Sequence, residues 1–95
     1  MEFLLDITVD VPAELPDGER KALFDAERVR GRELIEAGAI VHIWRIPGAV
    51  RNVSVWEAAD ATKLHGLVMS LPSFKYAKVS VTPLAVHPLR GGPDA

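Results

Sequence analysis

Residues 39–57 read AIVHIWRIPGAVRNVSVWE, two runs rich in β-branched and aromatic residues, 39–46 and 51–57, parted by Pro47-Gly48. Runs of this kind joined by a turn-forming break predict a β-hairpin. Side chains alternate across a strand. Placing Val41 and Ile43 toward the core with Val53 and Val55 therefore leaves His42 and Trp44 on the other face with Asn52, Ser54 and Trp56.

Upstream of the hairpin, residues 3–11 alternate, with Phe3, Leu5, Ile7, Val9 and Val11 on one side and Asp6, Thr8 and Asp10 on the other, which predicts a half-buried strand. A turn marked by Pro12, Pro16, Asp17 and Gly18 leads into a proline-free helix over 19–37. At 100° per residue, Ala22, Leu23, Ala26, Val29, Leu34 and Ala37 fall in one arc, with Arg30 inside it and Glu27 on its edge. Gly38 ends the helix. Downstream, Asp60 is the expected N-cap of a second helix over about 61–70, closed by Pro72, and 76–86 reads as a last strand. The order β-α-β-β-α-β predicts an α+β, ferredoxin-like domain, a four-stranded antiparallel sheet with two helices on one face. The bare face, with Trp44 and Trp56 on it, predicts pairing of two sheets in a dimeric α+β barrel. One domain spans 1–95, and its tail, 87–95, is expected to be ordered by a neighbouring subunit.

Composition narrows the function. The 95 residues are 48% hydrophobic and 25% charged, and 13 acids against 11 Lys and Arg give a formal charge of −2, so no basic surface for nucleic acid is expected. With no cysteine, disulfide, thiolate and Cys-metal chemistry are excluded. The longest apolar stretches are a few residues long and Glu2 and Asp6 interrupt the start, so neither a membrane span nor a secretory leader is expected, and the mature chain is expected to start near Met1 and to be cytoplasmic. His42, His65 and His87 fall on separate elements without ligand spacing, so no metal is expected. Taken alone, Glu27 reads either as a functional carboxylate or as a solvated residue paired with Arg30 at i+3. His42, Trp44 and Trp56 read either as a binding surface or as an interface between sheets.

The series Glu27, Gly38, His42-Ile43-Trp44-Arg45-Ile46-Pro47-Gly48, Asn52, Ser54-Val55, Leu64-His65, Leu71-Pro72, Phe74, Tyr76 and His87-Pro88 resembles the muconolactone Δ-isomerases nearly end to end. The resemblance implies a cofactor-free enzyme that moves a proton within an unsaturated lactone bearing a carboxymethyl arm, converting muconolactone to the 3-oxoadipate enol-lactone. It also implies a homo-oligomer, a dimer at least and possibly a ring of ten. Glu27 takes the family's base position, with His42 and Tyr76 as further catalytic groups. Trp44, Arg45, Asn52, Ser54 and Trp56 would bind the lactone or a related aromatic-derived acid. The chain departs from the family pattern at Ala49, where a histidine is usual, and at Phe24, where a lysine is usual. If those groups contact the lactone, the implied alternative is a divergent member that takes a less anionic or aromatic ligand and lacks muconolactone isomerase activity.

Overall fold

A computed structural model describes residues 1–94; Ala95, the end of the expected tail, lies outside the described residues. The elements are β1 (Glu2–Val9), α1 (Asp17–Glu36), β2 (Ile40–Arg45), β3 (Arg51–Glu57), α2 (Ala61–Met69) and β4 (Ala77–Leu84), with short 3-10 turns at Phe74–Tyr76 and Pro88–Arg90. The strands form one antiparallel sheet in the order β2-β3-β1-β4. This is the architecture expected from the alternation of strands and helices. None of the helices among the described residues is long and apolar enough to cross a membrane.

The central strand β1 sets the faces of the sheet. Its Phe3, Leu5 and Ile7 are buried beneath the helices, at 1%, 0% and 3% exposure. They pair directly with Trp56, Ser54 and Asn52 of β3. Directly paired residues share a face, so all three β3 residues lie on the helix side, and Trp56 is 1% exposed. Leu4 and Asp6 pair with Val55 and Val53, which puts those valines on the open side. This reverses the expectation for β3, where Val53 and Val55 were assigned to the core and Trp56 to the bare face. Both of its alternating sets hold apolar residues, so period alone could not choose; the tryptophan, with more surface to bury, takes the core.

On β2 the register slips between Ile40 and His42, a bulge at Val41. An extra residue in one strand re-aims every side chain beyond it. Ile40, Ile43 and Arg45 oppose Trp56, Ser54 and Asn52 on the helix side, whereas His42 and Trp44 oppose Val55 and Val53 on the open side. His42 and Trp44 therefore do not share a face with Asn52, Ser54 and Trp56. Their rings stack 5.5 Å apart on the uncovered face, where Trp44 is 55% exposed.

Helix α1 ends as Gly38 suggests. The Ala39 N–H donates to the Leu34 carbonyl at 2.9 Å and the Gly38 N–H to that of Ile35 at 3.0 Å, with Gly38 at φ 78°. That paired closure needs a left-handed residue, which glycine adopts without a Cβ clash. The inward line of α1 is Leu23, Glu27, Arg30 and Leu34, while Val29 is 59% exposed. Glu27 thus sits in the middle of the inward face rather than at the edge of the apolar arc. Asp60 caps α2, accepting from the Lys63 N–H at 2.8 Å, and Leu64 and Val68 join the core. The tail carries one local device, the Leu89 N–H donating to His87 Nδ1 at 3.1 Å. Leu89 itself is 89% exposed. The radius of gyration, 15.0 Å, exceeds the ~13 Å of a compact domain of this size.

Candidate active site

Between the helix side of the sheet and the flank of α1 lies a cavity of about 340 Å³. β1 contributes Ile7 and Val9 to it, β2 contributes Ile40, Ile43 and Arg45, and β3 contributes Asn52 and Trp56. Helix α1 supplies Phe24, Glu27, Arg28, Gly31, Arg32 and Ile35, and the segment after α2 supplies Leu71 and Ser73. The walls are largely aliphatic and aromatic, with a few polar groups set among them, as in pockets for small molecules.

Glu27 is anchored at one oxygen and free at the other. Its Oε2 accepts a hydrogen bond from the Ser73 backbone N–H at 3.2 Å. Its Oε1 is buried without a hydrogen-bond partner, and so is Oδ1 of Asn52. Buried acceptors are nearly always satisfied, because losing water without replacing it costs ~1–3 kcal/mol each. Two such acceptors on the lining of one cavity are open to a donor from outside the protein, a water or a ligand. Pro72 breaks the chain after α2 and turns the Ser73 N–H back toward α1, and Ser73 is itself only 2% exposed.

Of the residues singled out by sequence, the structure brings Glu27, Arg45, Asn52 and Trp56 together at this cavity. Ser54 lies behind it, fully buried, its Oγ accepting from Trp56 Nε1 at 2.8 Å and so fixing the indole. His42 and Trp44 stand on the opposite face of the sheet. Tyr76 does not line the cavity; Lys75 Nζ sits 5.2 Å from its ring centroid, and its carbonyl accepts from the Asp10 N–H at 2.9 Å. Phe24, one of the two departures, forms part of the wall, whereas Ala49 does not line it. Sequence reasoning missed Ser73, Arg28 and Arg32. A helical count from Glu27 would have found the arginines, since Phe24, Arg28, Gly31 and Arg32 share its flank; nothing in the sequence marks the backbone N–H of Ser73. Among the described residues no three His, Asp or Glu side chains converge as metal ligands would.

Comparison with known proteins gives one answer. The family model described as muconolactone delta-isomerase matches residues 1–90. Muconolactone Delta-isomerases 1 and 2 of Acinetobacter lwoffii are 33% and 35% identical over 88 residues, covering 93% and 92% of this chain and 92% and 91% of their own. The muconolactone Delta-isomerase of Cupriavidus pinatubonensis is 31% identical over 88 residues, covering 93% of this chain and 96% of its own. A crystal structure of muconolactone isomerase at 3.3 Å resolution superposes with a TM-score of 0.89 at 31% identity, covering 99% of this chain and 98% of its own.

Proposed function

The chain belongs to the muconolactone Δ-isomerase family, and we propose that it isomerises muconolactone with Glu27 as the group that carries the proton. The observation that supports this reading most directly is the free, buried Oε1 of Glu27 beside the cavity. A general base must reach the proton it removes, and holding it in place removes the entropic cost of finding it.

Glu27 takes the proton from the ring carbon that bears the carboxymethyl arm. The C–H electron pair becomes a new ring double bond, and the displaced π electrons move through the conjugated system onto the lactone carbonyl oxygen. The Asn52 amide, whose oxygen has no protein partner, is free to turn its NH₂ toward that oxygen and stabilise the dienolate. As the carbonyl re-forms, Glu27 returns the proton to the carbon next to it, so the double bond has moved and no atom is gained or lost. Trp56, held by Ser54, and Phe24 form walls for the flat ring.

The active protein is a homo-oligomer, a dimer at least. Its open sheet face carries the exposed Trp44 together with Val53 and Val55, and the tail from residue 87 docks on the neighbouring copy. His42 and Trp44 then lie at that contact, and Tyr76 stands outside the proton path.

The test is ultraviolet-monitored turnover of muconolactone by the purified protein, repeated in D₂O with the product read by NMR. Turnover with part of the substrate's own hydrogen retained at the transferred position supports a single carboxylate shuttle. Absence of turnover refutes the activity, and wild-type turnover by Glu27→Gln refutes the shuttle.

A further inference from the structure

Proton transfer alone does not account for the charge around the cavity. Three arginines, Arg28, Arg32 and Arg45, line it with a single carboxylate, Glu27, in a chain whose formal net charge is −2. Arg28 is already committed. It pairs with Asp25, which also takes Lys21 at 2.6 Å, and these partners, the Lys21 hydrogen bond foremost, hold the Asp25 carboxyl below its ordinary range. Arg32 and Arg45 have no carboxylate partner among the described residues. Arg45 reaches only the Ala49 carbonyl, at 3.5 Å. Both arginines are exposed, so the charge left after internal pairing lies where the cavity meets water.

The helix separates the two ends of the site. At 3.6 residues per turn and 1.5 Å per residue, Arg32 lies ~140° around α1 from Glu27 and ~7.5 Å along it. Glu27 sits on the inward line, while Phe24, Gly31 and Ile35 occupy the flank between it and Arg32. Arg45 enters from β2, on the sheet side. A ligand with a flat apolar ring and one charged arm fits this layout in a single sense, ring inward and arm outward.

We propose that Arg32, acting with Arg45 across the cavity mouth, anchors the substrate carboxylate and makes the enzyme selective for anionic lactones over neutral ones. The proposal rests on the isomerase reading for the identity of the arm. Guanidinium groups suit the role because their planar forks match a carboxylate and keep their charge at any working pH. Phe24, whose presence in place of a lysine suggested a less anionic ligand, occupies a wall of the cavity, and Arg32 and Arg45 still line it.

The test uses the full chain as wild type, Arg32→Gln and Arg32→Lys. Each is titrated by calorimetry with the saturated, non-reacting lactone acid and with its methyl ester, and KM and kcat are measured with muconolactone. Wild type should prefer the acid, Arg32→Gln should lose most of that preference and raise KM about tenfold with kcat within about twofold, and Arg32→Lys should recover part of the loss. Unchanged acid preference in Arg32→Gln overturns the anchor even if the enzyme turns over. A wild type that binds the acid no better than the ester, or binds neither, overturns it as well. If wild type fails to turn over muconolactone yet shows an Arg32-dependent preference for the acid, the anchor stands and the isomerase reading falls.

Discussion

Replacing Glu27 with glutamine separates catalysis from stability, and the structure predicts a large loss in the first and little change in the second. The amide keeps an oxygen that can accept from the Ser73 N–H, now at 3.2 Å from Oε2, so the helix-to-turn contact survives. What changes is the second position, where a buried oxygen without a partner becomes an uncharged NH₂. Loss of the base should lower kcat by about 10²–10⁴, the usual contribution of a positioned acid–base group. Because the NH₂ replaces an oxygen to which no protein group donates, no protein hydrogen bond is lost and stability should stay within ~0.5 kcal/mol. For a domain of this length that keeps Tm within roughly 4 °C of wild type, measured at fixed protein concentration because association also moves Tm. The assays are muconolactone turnover by ultraviolet absorbance and thermal unfolding by circular dichroism. A variant that loses activity and unfolds at lower temperature would mean that Glu27 is structural, and one that retains wild-type kcat would mean that the proton travels by another group.

Three further outcomes follow from other parts of the fold. Trp56→Phe keeps most of the buried ring but removes the donor to Ser54, whose hydroxyl is fully buried; the loss should be ~2 kcal/mol by urea unfolding, and a change below about 0.5 would show that the indole N–H is not needed. Arg51 grips Asp6 through Nε at 2.9 Å and a terminal nitrogen at 2.6 Å, and that hydrogen bonding holds the Asp6 carboxyl below its ordinary range. A carboxyl with a depressed folded-state pKa contributes stability above its unfolded value and loses it as pH falls through the folded one. Urea midpoints should therefore drop below pH ~4, less steeply in Asp6→Asn, and parallel curves for the two proteins would refute the linkage. Trp44→Asp places a charge in the exposed aromatic patch of the open face; sedimentation should show dissociation to monomer with the circular dichroism intact, and an unchanged assembly would locate the contact elsewhere.

Much of this architecture was legible in residue order. The alternation of Phe3, Leu5 and Ile7, the closure at Gly38, the Pro47-Gly48 break and the Asp60 cap each act through the chain within a few residues of themselves, so they could be read before any contact was known. The family series placed Glu27, Arg45 and Asn52 among the site residues, the aromatic reading added Trp56, and all four meet at one cavity. Element order, and with it the fold class, was determined by sequence alone, because strand and helix periods are local properties of the backbone. Tertiary structure decided which way those elements face. In β3 both alternating sets are apolar enough to be buried, and only pairing with β1 turns Trp56 inward and Val53 outward. In β2 alternation had already set Trp44 on the bare face, and what tertiary structure added is the bulge at Val41, which lets Ile40 and Ile43 both point to the helix side. The anchoring N–H of Ser73 comes from a backbone 46 positions away along the chain, and the flank of α1 that meets the cavity is chosen by what packs against it. A strand's period defines two sets of side chains without ranking them; the ranking comes from competition for buried surface among segments distant in sequence, and that competition is settled only when the whole domain closes.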